Sequence, residues 1–242
     1  MEITYLRAMI TVQAKEDLLQ PEFGKAIGQL INTVFSDKGK WTAFHKNRKR
    51  KGYTFSSLMN EKIANGIFEI KNGEVASFYL FSHNIELINL LENNLFENNF
   101  FKVLDFVTDT MTWKGPVTAI QVKNPILLKD DSNGERKIYV LRSTDSEKEK
   151  HRYLDYLNHS IISDFEYITG ESLPSNFRYI LDVKNPKISH YSENNRKLIG
   201  TKATFTIDTS LLGKLITQHL IAYGIGNKSS YLGAGSIILK GE

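Results

Sequence analysis

Cysteine is absent from the 242-residue chain. That excludes a disulfide framework, thiolate zinc sites, iron–sulfur ligation and a thiol nucleophile. Long apolar runs are missing as well. Nowhere do about eighteen apolar residues follow one another, and the N-terminus, MEITYLRAMITVQAKEDLLQ, has no basic segment leading into an apolar one. A soluble, cytoplasmic protein with no membrane partner is expected. Three catalytic signatures are also wanting: no Gly-x-Ser-x-Gly elbow, no His-Glu-x-x-His zinc motif and no Walker A loop occur. What is present is the composition of a chain that folds, 41% hydrophobic and 24% charged, long enough for one large domain or two small ones.

Carboxylates are lacking in one particular place. Between Lys38 and Lys51 stand seven cations, Lys38, Lys40, Lys46, Arg48, Lys49, Arg50 and Lys51, with no Asp or Glu among them. Taking that +7 from the net +4 leaves −3 on the other 228 residues, so the basicity of the chain belongs to this segment. It also carries Trp41 and His45 and runs into Tyr53-Thr54-Phe55. Such a loop suits a polyanion. Alone, it reads equally well as a solvated charge run or a nuclear address, and composition does not choose between them.

The order of elements is more informative. Ile3–Val12 reads as a strand, and Phe23, Ile27, Leu30, Ile31 and Val34 recur at helical spacing after Pro21. Tyr53–Met59 and Ile67–Ile70 read as short strands, Asn72-Gly73 as a hairpin turn and Val75–Phe81 as the returning strand. A helix with Ile85, Leu87, Ile88, Leu91, Leu95 and Phe96 on its apolar face follows, then a strand over Phe101–Thr112. After Trp113-Lys114-Gly115-Pro116 the series approximately repeats. Strands are expected at Val117–Val122 and Ile138–Leu141, a long helix over Glu147–Ile168, strands at Arg178–Val183 and Lys197–Ile207, a helix over Thr209–Tyr223 burying Leu211, Leu212, Leu215, Ile216 and Leu220, and a last strand at Ser236–Lys240. The expected fold is α+β, two tandem ferredoxin-like (split βαβ) domains with mostly antiparallel sheets, one over residues 1–113 and one over 117–242.

The most specific segment is Gly224-Ile225-Gly226-Asn227-Lys228-Ser229-Ser230-Tyr231-Leu232-Gly233-Ala234-Gly235. Predicted helix precedes it and predicted strand follows, the reverse of a dinucleotide or Walker loop. Its glycines permit positive φ, so that outward-pointing amides with Lys228, Ser229 and Ser230 could cradle a phosphate. Read structurally, the same glycines make a helix C-cap and a tight connection.

Together these residues suggest a family. The basic loop with one His leading into Lys51-Gly52-Tyr53-Thr54-Phe55-Ser56-Ser57-Leu58, and the C-terminal GIGNKSSYLGAG, resemble the CRISPR-associated endoribonucleases that cut repeat RNA into guide RNAs. Ala234 stands where that family often has an aromatic residue. The resemblance implies a tandem ferredoxin-like fold over nearly the whole chain. It implies metal-independent cleavage, in which the ribose 2′-hydroxyl attacks its own phosphate to leave a 2′,3′-cyclic phosphate and a 5′-hydroxyl. It further implies that His45 and Lys51 are the catalytic residues. Lys40, Lys46, Arg48, Lys49 and Arg50 would bind the RNA backbone, together with Gly224, Gly226, Asn227, Lys228, Ser229, Ser230, Gly233 and Gly235. No metal or other cofactor is expected. CRISPR repeat RNA is the expected partner, with a second copy of the chain (a homodimer) and a CRISPR effector complex as further candidates. A Tyr on the first helix accompanies the His in part of the family, and none lies between Gln20 and Phe35 here. Some relatives bind RNA without cutting it, which leaves a non-catalytic effector subunit as the alternative.

The other histidines offer less. His83 is expected to cap its helix, His151 and His159 to be surface or partly packed residues of the long helix, and His190 and His219 belong to no constellation. Asp130-Asp131 reads as turn chemistry.

Overall fold

Alternating burial builds the first strand. In β1 (Ile3–Ala14), Ala8, Ile10, Val12 and Ala14 point into the core while Met9, Thr11 and Gln13 are partly exposed. The computed structural model describes residues 2–35, 51–59, 69–130, 137–193, 196–226 and 232–241. After a two-residue strand β2 (Leu18–Leu19) comes helix α1 (Gln20–Thr33), with Pro21 in its first turn and Phe23, Ile27, Leu30 and Ile31 buried. The chain then forms β3 (Tyr53–Phe55), β4 (Glu69–Ile70), β5 (Val75–Ser82), α2 (Ile85–Asn94) and β6 (Phe101–Trp113). The four main strands make one antiparallel sheet in the order β3-β5-β1-β6, and β2 pairs with β4 in a short ribbon.

The second half repeats the plan with β7 (Ala119–Val122), β8 (Leu128–Asp130), β9 (Lys137–Tyr139), α3 (Glu147–Thr169), β10 (Ile180–Glu193), β11 (Arg196–Ile207), α4 (Leu211–Tyr223) and β12 (Ile237–Lys240). Its sheet runs β10-β11-β7-β12, again antiparallel, with β8 and β9 as a side ribbon. With the ribbons set aside, each half is β-α-β-β-α-β with its first strand between its third and fourth. This is the tandem ferredoxin-like arrangement, α+β throughout.

Several local expectations are corrected. The strand expected over Tyr53–Met59 ends at Phe55, because the Ser56 side chain enters the ladder: Tyr79 N–H donates to Ser56 Oγ at 2.9 Å in place of a backbone carbonyl. Ser56 N–H still donates to Tyr79 O, and the next bridge is Met59–Ser77. The strand expected to stop at Val183 instead continues to Glu193. Asn185 takes a positive φ of 52°, and the register slips between Lys184 and Lys187, so Pro186 sits in a bulge of an edge strand, where its missing N–H is tolerated. Leu211, Ile85 and Phe96 are exposed rather than buried.

Helix α4 explains how the halves join. Its last two turns are buried nearly all round, with Ile216, Thr217, His219, Leu220, Ile221 and Ala222 enclosed. It packs on its own sheet and also against β1, β3 and β5 of the first half. A helix apolar on every side needs two surfaces to cover it. Ile3 and Phe81 of the first half accordingly belong to the core of the second.

Candidate nucleic-acid interface

Where α4 ends, the two halves leave an open cleft of about 600 Å³ lined by Lys51, Gly52, His83, Asn84, Ile85, Glu86 and Tyr223. Edge strand β3 positions Lys51. The backbone turns at Gly52, whose φ is +68°, and Ser82 Oγ donates to the Gly52 carbonyl at 2.8 Å. A β-carbon on Gly52 would lie 3.4 Å from the Tyr223 hydroxyl, so the cleft wall closes against this glycine. The Lys51 side chain is half-buried, and that burial lowers its ammonium pKa from the ordinary 10.5. Tyr223 stacks on His219 with ring centroids 4.4 Å apart, and its phenol is pushed up by burial.

His83 is not a cap. Asn84 caps α2, its Oδ1 accepting from Leu87 N–H at 3.1 Å, while His83 Nε2 donates to the Gln218 carbonyl of α4 at 2.6 Å. The sequence gives no sign of that second role, because Gln218 lies 135 residues away. His83 and Tyr223 are thus cleft residues that sequence reasoning missed. His151 and His159 lie exposed on α3, as expected.

The glycine segment comes back against β3. Gly224, Gly226, Gly233 and Gly235 all have positive φ. At Gly226 and Gly233 the space is also closed, since a β-carbon would fall 2.6 Å from the Leu127 carbonyl oxygen and 2.4 Å from that of Phe55. The bordering amides are committed internally. Gly224 N–H donates to Leu220 O, Ile225 N–H to Gly235 O, Gly235 N–H to Asn124 O and Pro125 O, and Ser236 N–H to Gly233 O. These glycines therefore pinch the two ends of the segment together. Ala234 is fully buried in a cluster with Leu127, Tyr191 and Leu232. The buried amide of Asn124 ties the arrangement across the halves, donating to Phe55 O at 3.1 Å and Gly233 O at 3.0 Å.

Of the expected site residues, Lys51, Gly224, Gly226, Gly233 and Gly235 are thus located, near the two ends of β3. His45, Lys40, Lys46, Arg48, Lys49 and Arg50, and Asn227, Lys228, Ser229 and Ser230, lie outside the described residues. Among the described residues no cluster of three or more His, Asp or Glu is placed to hold a metal ion, and no helix is long and apolar enough to cross a membrane.

The whole chain has counterparts among solved structures. A RAMP protein binding different RNA substrates superposes with a TM-score of 0.74 at 16% identity, covering 98% of this chain and 100% of that one. The product of a Cas6-related gene from Pyrococcus furiosus gives 0.73 at 17%, covering 98% and 99%. A CRISPR associated protein Cas6 gives 0.71 at 18%, covering 98% and 100%. This chain shares their fold. No family model and no curated sequence matches it. The likeness runs through both halves, so it extends to the pairing of the two ferredoxin-like units as well as to either unit alone.

Proposed function

We propose that the chain is a metal-independent endoribonuclease that cuts CRISPR repeat RNA. The observation that carries this reading is the position of Lys51, held half-buried by a glycine turn in a cleft made by both halves of a Cas6-like fold. His45, six residues before it, takes a proton role. The step balances without metal or cofactor. The 2′-hydroxyl gives its proton to a base, O2′ bonds to phosphorus, the P–O5′ bond breaks, and O5′ receives a proton to leave a 5′-hydroxyl beside a 2′,3′-cyclic phosphate. An imidazole titrates in the range that suits either transfer, and the Lys51 ammonium stabilises charge on the non-bridging oxygens as the phosphorane forms. The basic segment from Lys38 to Arg50 and the glycine segment grip the backbone.

The alternative, a non-catalytic RNA-binding subunit of a CRISPR effector complex, draws on the absence of any Tyr from α1. Cleavage of repeat RNA in the presence of chelator separates the two. His45→Ala is expected to abolish cutting while leaving RNA affinity within a few fold. Loss of affinity without any wild-type cutting to lose would favour the alternative.

A further inference from the structure

The phenol of Tyr223 reaches the Lys51 cleft from the other half of the chain. Tyr223 is the last residue of α4, and Gly224, at φ +67°, turns the backbone straight into the glycine segment. The Tyr223 hydroxyl stands 3.4 Å from the place a β-carbon on Gly52 would take, and so no more than about 9 Å from the α-carbon of Lys51. A lysine and a phenol thus line the same space, one from each half.

Both walls are fixed. One helical turn before Tyr223, His219 lies flat against its ring, with centroids 4.4 Å apart and planes at 12°. Phe165 of α3 meets the His219 ring edge-on at 5.4 Å, so three rings run from the core of the second half out to the cleft. Opposite, Ser82 Oγ holds the Gly52 carbonyl. The phenol is therefore positioned before any substrate arrives. Burial pushes its pKa above the ordinary 10, so at neutral pH it keeps its proton and is a hydrogen-bond donor. Other polar groups of the wall are engaged elsewhere or of the wrong kind. His83 Nε2 donates to Gln218 O and Asn84 Oδ1 caps α2, while Glu86, exposed in the first turn of α2, is a carboxylate that only accepts.

We propose that Tyr223 is a further catalytic residue, its hydroxyl donating a hydrogen bond to one non-bridging oxygen of the scissile phosphate while the Lys51 ammonium faces the other. The inference rests on the endoribonuclease reading above. As O2′ bonds to phosphorus, both non-bridging oxygens gain negative charge, and a fixed donor beside one of them stabilises the phosphorane more than the ground state. The phenol keeps its proton throughout, so the bond changes and proton transfers of the step are unaltered. The second half of the chain then takes part in the chemistry as well as in binding.

The test is single-turnover cleavage of repeat RNA in chelator, with protein in excess, on all-oxygen RNA and on two copies carrying sulfur at one or the other non-bridging position of the scissile phosphate. Sulfur accepts hydrogen bonds weakly, so at the position facing Tyr223 it is expected to slow the wild-type chain about tenfold. Tyr223→Phe keeps the ring and its stack on His219. It should cut all-oxygen RNA about 100-fold more slowly, with RNA affinity and thermal midpoint unchanged, and sulfur at that position should slow it no further. Equal wild-type rates on all three RNAs overturn the contact without recourse to a variant. An unchanged rate in Tyr223→Phe, or a slowed rate on which the sulfur effect persists in full, also overturns it and leaves the proposed function standing. Failure of the wild-type chain to cut repeat RNA at all overturns both.

Discussion

The side-chain amide of Asn124, in the second half of the chain, donates a 3.1 Å hydrogen bond to the carbonyl of Phe55, in the first. The same nitrogen donates to Gly233 O. One buried group thus ties β3, which follows Lys51 and Gly52, to the segment that returns past it. Replacing Asn124 with Ala leaves two carbonyls short of a donor. It is expected to cost about 1–3 kcal/mol of stability in denaturant titration, and to weaken RNA binding even in conditions where the protein remains folded.

Glycine positions of similar φ should respond very differently. Gly233→Ala must accommodate both a left-handed backbone and a β-carbon 2.4 Å from Phe55 O, whereas Gly73→Ala, at φ +84°, meets nothing within 4 Å. The expected losses are about 3 kcal/mol or more and about 1 kcal/mol respectively. Equal losses, measured by thermal unfolding, would contradict the close approach of the glycine segment to β3.

Lys51 supplies a pH signature. Its depressed pKa means that between the lowered value and 10.5 the unfolded chain holds more protons than the folded one, so this group makes stability rise with pH across that window. If the ammonium is the active form, kcat/KM for cleavage should fall on an alkaline limb that begins below 10.5. Lys51→Arg should move that limb upward, since a guanidinium stays charged. An identical alkaline limb in both proteins would remove Lys51 from the chemistry.

His83 shares the cleft with Lys51, but its Nε2 hydrogen is committed to the Gln218 carbonyl. It is expected to hold α2 to α4 rather than to transfer protons. His83→Ala should lower stability by about 1 kcal/mol and leave the cleavage rate of folded protein within a few fold, in contrast to His45→Ala.

Much of the fold was legible in local patterns. The alternation of Ala8, Ile10, Val12 and Ala14 and the helical spacing of Phe23, Ile27, Leu30 and Ile31 are buried as their periods require, because each element has one face toward one core. Where an element met two surfaces, the pattern misled. Helix α4 is apolar nearly all round because it wedges between the halves, so spacing could not say that Leu211 would be exposed and Ile221 enclosed. The strand expected to end at Val183 in fact runs on past Pro186 through a bulge. The candidate site was legible where it is a local motif, as at Lys51-Gly52 and the four glycines. It was not legible at His83 or Asn124, whose partners come from the other half of the chain and leave no mark in the residues around them.

The central claim is that the RNA cuts itself under guidance from the protein, its own 2′-hydroxyl being the nucleophile. The most direct measurement compares repeat RNA with a copy carrying one 2′-deoxy sugar at the cleaved nucleotide, both incubated with the wild-type chain in chelator. The account predicts that the all-ribose RNA is cut to a 2′,3′-cyclic phosphate and a 5′-hydroxyl, and that the deoxy copy binds with unchanged affinity and stays whole. Cutting of the deoxy copy at that position, or cutting of either RNA only when a divalent metal is restored, would contradict it.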